Sequence, residues 1–419
     1  MAKPKLALIP AAQGTKFYSV LPSDGVGDFQ FSRLSSATRI APTGLIETVP
    51  IATSRLNYDL LNGKVVNCPH YLLEPASTNL IPYSEDFSNA AWNKINGVTV
   101  QLSDVNSPDG TLTNSKIIVG SGTSDFGVYD DVSTLSGSKY VISIFAKKGT
   151  TKYIRLREGY SSSQIVVNLE NGVVVSDVNA SDINIENYGN DWYRLSYKFT
   201  AASTAQVVCY IHDNENNSSY TGNGQYLYLY GASIEKGTYP TSYIPTNGTA
   251  ISRIAETADF SGNAATFNDS EGVLYAEIAA LANDGTNRQI SISDGSTSQR
   301  VYFGFRTTSN EFLLSSRDSS YVIGTLNVLN YNKYSFQYKS GNFKAFVNGF
   351  NYALDADGGL LPSGLDRLNF DDGSGATDFY GNTRELQYFD SALTDAQLET
   401  LTSWTSLQEM ITSQLYTNY

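Results

Sequence analysis

The sequence predicts a mainly β protein. It should have two antiparallel β-sandwich (jelly-roll) domains after an irregular N-terminal anchoring segment, with a short C-terminal helix. Three observations carry this. Strict alternation recurs along the chain: in "WYRLSYKFTA", Tyr193, Leu195, Tyr197 and Phe199 point one way and Arg194, Ser196, Lys198 and Thr200 the other, the period-2 signature of a strand with one wet face. Asn-Gly and Ser-Gly pairs separate such runs, as tight hairpin turns require. Charged residues make up only 16% of the 419 residues, while Tyr (29) and Gly (34) abound, a mixture suited to short strands joined by polar turns.

Residues 1–84 read as irregular and Pro-punctuated. "FYSVLPSDGVGDFQFSR" offers two short strands around Asp24-Gly25, and "ATRIAPTGLIETVP" offers another pair. Nothing here looks able to bury a core alone, so this segment is expected to pack on a partner or on a second copy of the chain. Residues 85–247 form the first predicted sandwich. "QIVVNLENGVVV" is a hairpin around Asn171-Gly172. "QVVCYIHD" alternates Val207, Cys209 and Ile211 against Val208, Tyr210 and His212, and "YLYLYGASIE" sets three tyrosines against Leu227 and Leu229. Many strands with no long helix imply two packed sheets.

"GTYPTSYIPTNGTAISR" then reads as a connector. Residues 255–405 form the second sandwich. "GVLYAEIAAL", "RQISISDG", "RVYFGFRT" and "EFLLSSRD" are short strands, and "KYSFQYKSGNFKAFVNGFNYAL" is a three-stranded meander with turns at Ser340-Gly341 and Asn348-Gly349. Thr394 with Gln397 makes a capping box. Leu398, Leu401, Trp404, Leu407, Met410, Ile411 and Leu415 follow at threes and fours, an amphipathic helix of several turns that runs into a helical tail at 406–419.

The net charge of −13 disfavours nucleic acid and anionic membrane as partners. No run of ~18 apolar residues is present to span a bilayer. "MAKPKLALIPAAQG" is broken by Pro10 and does not fit a secretion signal. Cys68 and Cys209 stand far apart with no CxxC, and a reduced pair is expected. Two histidines, His70 and His212, leave zinc chemistry and a Ser-His-Asp triad short of parts.

No P-loop, GxGxxG, HExxH or GxSxG motif occurs. The acid pairs Asp130/Asp131, Asp371/Asp372 and Glu85/Asp86 read as surface or turn chemistry, although glycosidases also use paired carboxyls. "NFDDGSGATD" places Asp371, Asp372 and Asp378 among glycines. A plain turn is expected, with calcium the alternative through hard oxygen ligands; otherwise no cofactor is indicated. Trp92 and Trp192 read as core. The better candidates for carbohydrate binding are exposed-looking. Tyr153, Arg155 and Arg157 share a face of "KYIRLREGY", and Tyr160 follows. Tyr210 and His212 share parity, as do Tyr302 and Arg306, and Arg317 sits near a strand end. Arg and Tyr offer planar hydrogen bonding and stacking at low entropic cost.

The stretch "FYSVLPSDGVGDFQFSRLSSATRIAPTGLIETV", with "RLNYD" and "YLLEPASTNLIPYSEDFSNAAW", resembles the N-terminal region of tailed-bacteriophage virion appendage (head or tail fibre) proteins. "DWYRLSYKF" and "LYGASIEKGTYPTSYIPT" resemble the later strands and exit of a carbohydrate-binding-module-like jelly roll. "YSFQYKSGNFKAFVNG", "RLNFDDG" and "GNTRELQYFDSALTDAQLETL" resemble concanavalin A-like/laminin G-like domains. The resemblance implies a virion protein made in a host cytoplasm. It would attach to other virion proteins through residues 1–84, form homotrimers and display glycan-binding sandwiches without catalysis. No fixed sugar-contacting residues come with it. A structural decoration protein and a polysaccharide depolymerase are the alternatives. The opening of the jelly roll reads as a domain entrance, with Pro75 and Pro82 holding the backbone extended and Phe87 and Trp92 pinning the crossing.

Overall fold

The computed structural model describes residues 2–66, 68–215, 219–317, 319–352, 354, 359–406 and 409. Its architecture is mainly β, with antiparallel sheets and one short helix near the C-terminus.

The first sandwich packs two sheets. One runs in the order Asn93–Ile95, Ser121–Ser133, Thr204–His212, Tyr153–Glu158, Gln164–Asn168, Val173–Val178, with Ser219–Asn223 also on Ser121–Ser133. The other runs Thr99–Leu102, Ser115–Ile118, Tyr226–Lys236, Lys139–Lys148, Trp192–Thr200, Ser181–Asn187. The alternation seen in sequence supplies the core between them: Val207, Cys209 and Ile211 meet Leu195, Tyr197, Leu227 and Leu229 in one buried cluster. The Asn171-Gly172 hairpin forms as expected, with Gly172 at φ +71° and Asn168 opposite Val173. Trp92 and Phe87 close one end of this core with ring centroids 4.4 Å apart. The Trp92 indole donates to the Tyr83 carbonyl at 2.8 Å.

The second sandwich pairs a five-stranded sheet (Ser319–Ile323, Phe312–Ser316, Arg300–Phe305, Arg288–Ser293, Arg367–Asn369) with an eleven-stranded one. The larger sheet holds the predicted meander, Asn332–Lys339, Lys344–Val347 and Phe350–Tyr352. It also holds strands from the N-terminal segment. Leu6–Gln13 pairs with Gly381–Phe389, placing Leu6 opposite Tyr388, and Lys16–Leu21 and Phe29–Ser32 extend the sheet outward. Leu6, Leu8, Phe17, Phe29 and Phe31 lie in the same buried cluster as Phe303, Phe336 and Leu386. Within the chain, the apolar residues of 1–84 thus pack on the second sandwich. The segment lacks a core of its own because its apolar residues complete that of the second sandwich, far later in the chain.

The junction is fastened by a buried ion network. Glu256 accepts from Arg33 Nη1 at 2.7 Å and from Arg55 Nε at 2.8 Å. Glu74 lies 2.9 Å from Arg55 Nη1 and 3.0 Å from Arg253 Nη1. All five side chains are buried. Burial opposes ionisation of Glu74, but Arg253 and Arg55 outweigh it and hold its carboxyl down at about 2. The connector at 237–253 is thus packed rather than loose: the Tyr243 carbonyl accepts from Thr38 Oγ1, and the Tyr243 ring is buried.

That packing also changes the face of Trp192–Thr200 expected to be wet. Arg194 and Ser196 are buried, because Ile46, Tyr228, Tyr230 and Tyr243 form a second apolar layer with Trp192 on the outside of this sheet. At the C-terminus the helix spans Asp395–Thr402, with the Thr394/Gln397 capping box in place. Leu398 and Leu401 pack on Val273, Tyr275 and Phe346. This helix stops at Thr402, short of the several turns that the spacing by threes and fours suggested, and Leu407, Met410, Ile411 and Leu415 lie outside the described residues.

Candidate functional site

Sheet pairing gathers six of the predicted residues onto, or beside, one surface. In Tyr153–Glu158 the even residues Ile154 and Leu156 enter the core, which turns Tyr153, Arg155 and Arg157 outward. In Thr204–His212 the odd residues enter the core, which places Tyr210 and His212 on the opposite side, where Tyr210 is half-buried and His212, expected to be exposed, is buried. The register then sets Tyr153 opposite His212, Arg155 opposite Tyr210 and Arg157 opposite Val208. The Arg155 guanidinium lies 4.1 Å from the centre of the Tyr210 ring, a cation–π stack. Tyr160, in the turn after the strand, is exposed, and the Asp131 carboxylate raises the pKa of its phenol.

The electrostatics follow from partial burial. Burial lowers the pKa of Arg155 and Arg157 adds repulsion, while Tyr210 opposes both. Burial, with Arg155 adding to it, pushes His212 down to about 4, so its imidazole is neutral at pH 7. The Nε atoms of Arg155 and Arg157 are both buried without a hydrogen-bond partner. Two guanidinium edges thus stand on one strand, two positions apart, and Arg157 Nη2 donates to Ser162 Oγ at 3.4 Å. Such edges match the geometry of a carboxylate or of vicinal hydroxyls.

Two contributors to this face were not foreseen. Gly127 sits opposite Tyr210 on the next strand, where a Cβ would collide with the Cys209 carbonyl oxygen. Tyr129 stands opposite Val208 on the same strand as Gly127. The signal for Gly127 was a glycine inside a strand-like run, which marks close backbone approach. Nothing in the local pattern distinguished Tyr129 from other strand tyrosines.

The remaining candidates lie on the other sandwich. Tyr302 is buried, with the Arg300 guanidinium 4.1 Å from its ring centre. Arg306 is paired with Glu311 at 2.7 Å. Arg317 occupies a left-handed turn at φ +52°. These three do not form a surface comparable to that of the first sandwich. In the proposed calcium turn, Asp372 accepts from the Ser374 and Ala376 amides, Asp371 from the Gly373 amide and Asp378 from the Tyr380 hydroxyl. Among the described residues no group of three or more His, Cys, Asp or Glu side chains is arranged to hold a metal ion. The carboxylates serve the turn itself. Cys68 is exposed and Cys209 buried, and both are free.

No protein-family model matches the chain, and no curated protein does. Among solved structures, the chain is similar to the CBM40 of Ruminococcus gnavus IT-sialidase bound to α2,3-sialyllactose, at 15% identity over 34% of this chain and 92% of that one, with a TM-score of 0.29. A Trypanosoma rangeli sialidase in complex with the inhibitor DANA aligns at 11% identity over 85% of this chain and 78% of that one, TM-score 0.30. The LG1-3 region of the laminin α2 chain aligns at 12% identity over 65% and 63%, TM-score 0.17. At these values the likenesses say nothing of which residues act.

Proposed function

We propose that the outer face of the seven-stranded sheet binds glycans weakly and reversibly, and that the protein is a non-catalytic appendage of a tailed-bacteriophage virion. The observation that carries the binding reading is the Arg155–Tyr210 stack beside Arg157, with two guanidinium Nε donors left unpartnered. Aromatic rings pack on sugar rings, and the donors fix hydroxyls or a carboxylate. The positive charge of the two guanidinium groups shifts the expected preference from neutral polysaccharide towards glycans that bear a carboxylate. Display in several copies, with a homotrimer the expected form, raises avidity through effective concentration without a strong single site.

The virion reading rests on the sequence resemblance across residues 17–92. Attachment to other virion proteins falls to the surface of the N-terminal strands, where Ile9, Tyr18, Val20, Leu34 and Ile51 are exposed. The test is a glycan array, with neutral and carboxylate-bearing members, probed with the intact chain and with Arg155→Ala/Arg157→Ala. Binding that the double variant loses by at least about tenfold (~1.4 kcal/mol), with unchanged melting, supports the reading. Silence on every glycan and on host cells favours a decoration protein. Release of reducing ends from a polymer would replace adhesion with depolymerisation.

A further inference from the structure

A cavity of about 720 Å³ opens on the opposite side of the first sandwich, where that domain, the N-terminal segment and the second sandwich meet. It shares no residue with the Arg155–Tyr210 face. Its walls come from segments far apart in sequence: Ile40, Leu72, Asn184, Arg194, Leu281 and Asn382. The volume falls within the range usual for small-molecule sites, ~300–1,000 Å³.

The charges on its walls are matched within the chain. Glu74 is held by Arg55 and Arg253. Asp59 is held by Arg384 at 3.1 Å and by His70 at 3.5 Å. Arg39 pairs with Glu47. Glu186 stands directly across from Arg194 in the strand register. An anion or cation entering here meets no uncompensated opposite charge, and its desolvation would go unrepaid.

What remains unmatched is neutral hydrogen-bonding capacity. Arg194 is 4% exposed, and its Nε has no acceptor. Asn382 Oδ1, on the facing domain, is buried with no donor. One orphan donor and one orphan acceptor belong to walls that carry aliphatic side chains, Ile40, Leu72 and Leu281 among them, beside polar ones whose charges are matched as above. A buried polar atom without a partner is costly. A sugar hydroxyl donates and accepts at once, and the C–H face of a pyranose packs on aliphatic side chains.

We propose that this junction cavity is a second saccharide site, which takes a neutral mono- or disaccharide. The occupant touches all three segments, so it also locks their arrangement. Binding to the folded chain alone raises the unfolding temperature by mass action.

The experiment uses the intact chain carrying Arg155→Ala/Arg157→Ala, so that the exposed face is silent. The probes are the methyl glycosides of glucose, galactose, mannose and N-acetylglucosamine, then lactose and cellobiose, with acetate and inorganic phosphate as charged controls. Saturation-transfer NMR and thermal unfolding are the readouts. At least one neutral probe should receive saturation and raise the unfolding temperature. Asn184→Trp, which adds bulk at an exposed wall position, should weaken that binding at least about tenfold while the ligand-free melt stays put. If Asn184→Trp fails to fold, Asn382→Leu removes the acceptor at similar volume and should weaken the same probe.

Three results would overturn the proposal. They are no neutral probe bound, equal binding in a folded blocking variant, or preference for acetate or phosphate. Loss of glycan-array signal by the wild-type face leaves these outcomes untouched, so the two sites succeed or fail separately.

Discussion

Replacing Glu74 by Gln tests whether charge, rather than shape, fastens the junction. Glu74 accepts from Arg55 and Arg253, and also from the Ser242 amide at 2.8 Å and the Ser242 hydroxyl at 2.6 Å. Gln keeps the volume and one acceptor oxygen but removes the negative charge between two buried guanidinium groups. The carboxyl is held at about 2 against a usual 4.5. At ~1.36 kcal/mol per pKa unit, the charged form is favoured in the fold by roughly 3 kcal/mol. Breaking a buried pair by removing one partner costs about 3–5 kcal/mol by mutational precedent, a cost of the same size.

Because the folded pKa is depressed, this stabilisation is fully present above the unfolded value near 4.5 and disappears as pH falls towards 2. Urea unfolding, followed by tryptophan fluorescence, should show Glu74→Gln less stable by about 3 kcal/mol at pH 7. Urea avoids screening the ions. The two proteins should converge as the pH is lowered from 4.5. A constant offset at every pH would mean that packing, not charge, carries the effect. An offset below about 0.5 kcal/mol at pH 7 would place the network among ornamental ion pairs.

Other outcomes follow from particular contacts. Trp92→Ala should destabilise the first sandwich by about 3–5 kcal/mol, since it empties a buried site beside Phe87 and leaves the Tyr83 carbonyl without its donor. Glycan binding by the remaining folded protein should be intact, and its loss without loss of stability would show that Trp92 is a ligand contact. His212 is neutral in the fold down to about pH 4 while the unfolded chain protonates near 6.5, so its contribution to stability falls as pH drops through that window. His212→Gln should flatten the slope there relative to wild type. An imidazole NMR titration with a midpoint near 6.5 would refute the burial argument. Gly172→Ala should cost about 1–2 kcal/mol, because φ is +71° and the new Cβ would press on the Tyr193 ring; a neutral thermal melt would count against that turn.

Local pattern carried much of the architecture. The alternation in 193–199 and 207–211 placed the core residues correctly, Asn171-Gly172 placed a turn, and Thr394 with Gln397 placed a helix start, because each is decided within a few residues by backbone sterics and short-range hydrogen bonds. The pattern misjudged Arg194 and Ser196, which alternate like wet-face residues yet are buried. Their cover, Ile46 and Tyr243, comes from elsewhere in the chain.

The candidate site divides the same way. Residue types and parity picked out Tyr153, Arg155, Arg157, Tyr210 and His212 one strand at a time. Only the antiparallel register brought Arg155 onto Tyr210 and Tyr153 opposite His212. By itself the chain's order of residues determined that it would form sheets, where many of them turn, and which side of each strand is apolar. The tertiary structure decided which strands are neighbours, so that Leu6 lies beside Tyr388 and Arg33 meets Glu256. The physical reason is that hydrogen-bonded pairing and burial reward contacts irrespective of sequence separation, while periodicity records only the direction in which each side chain points.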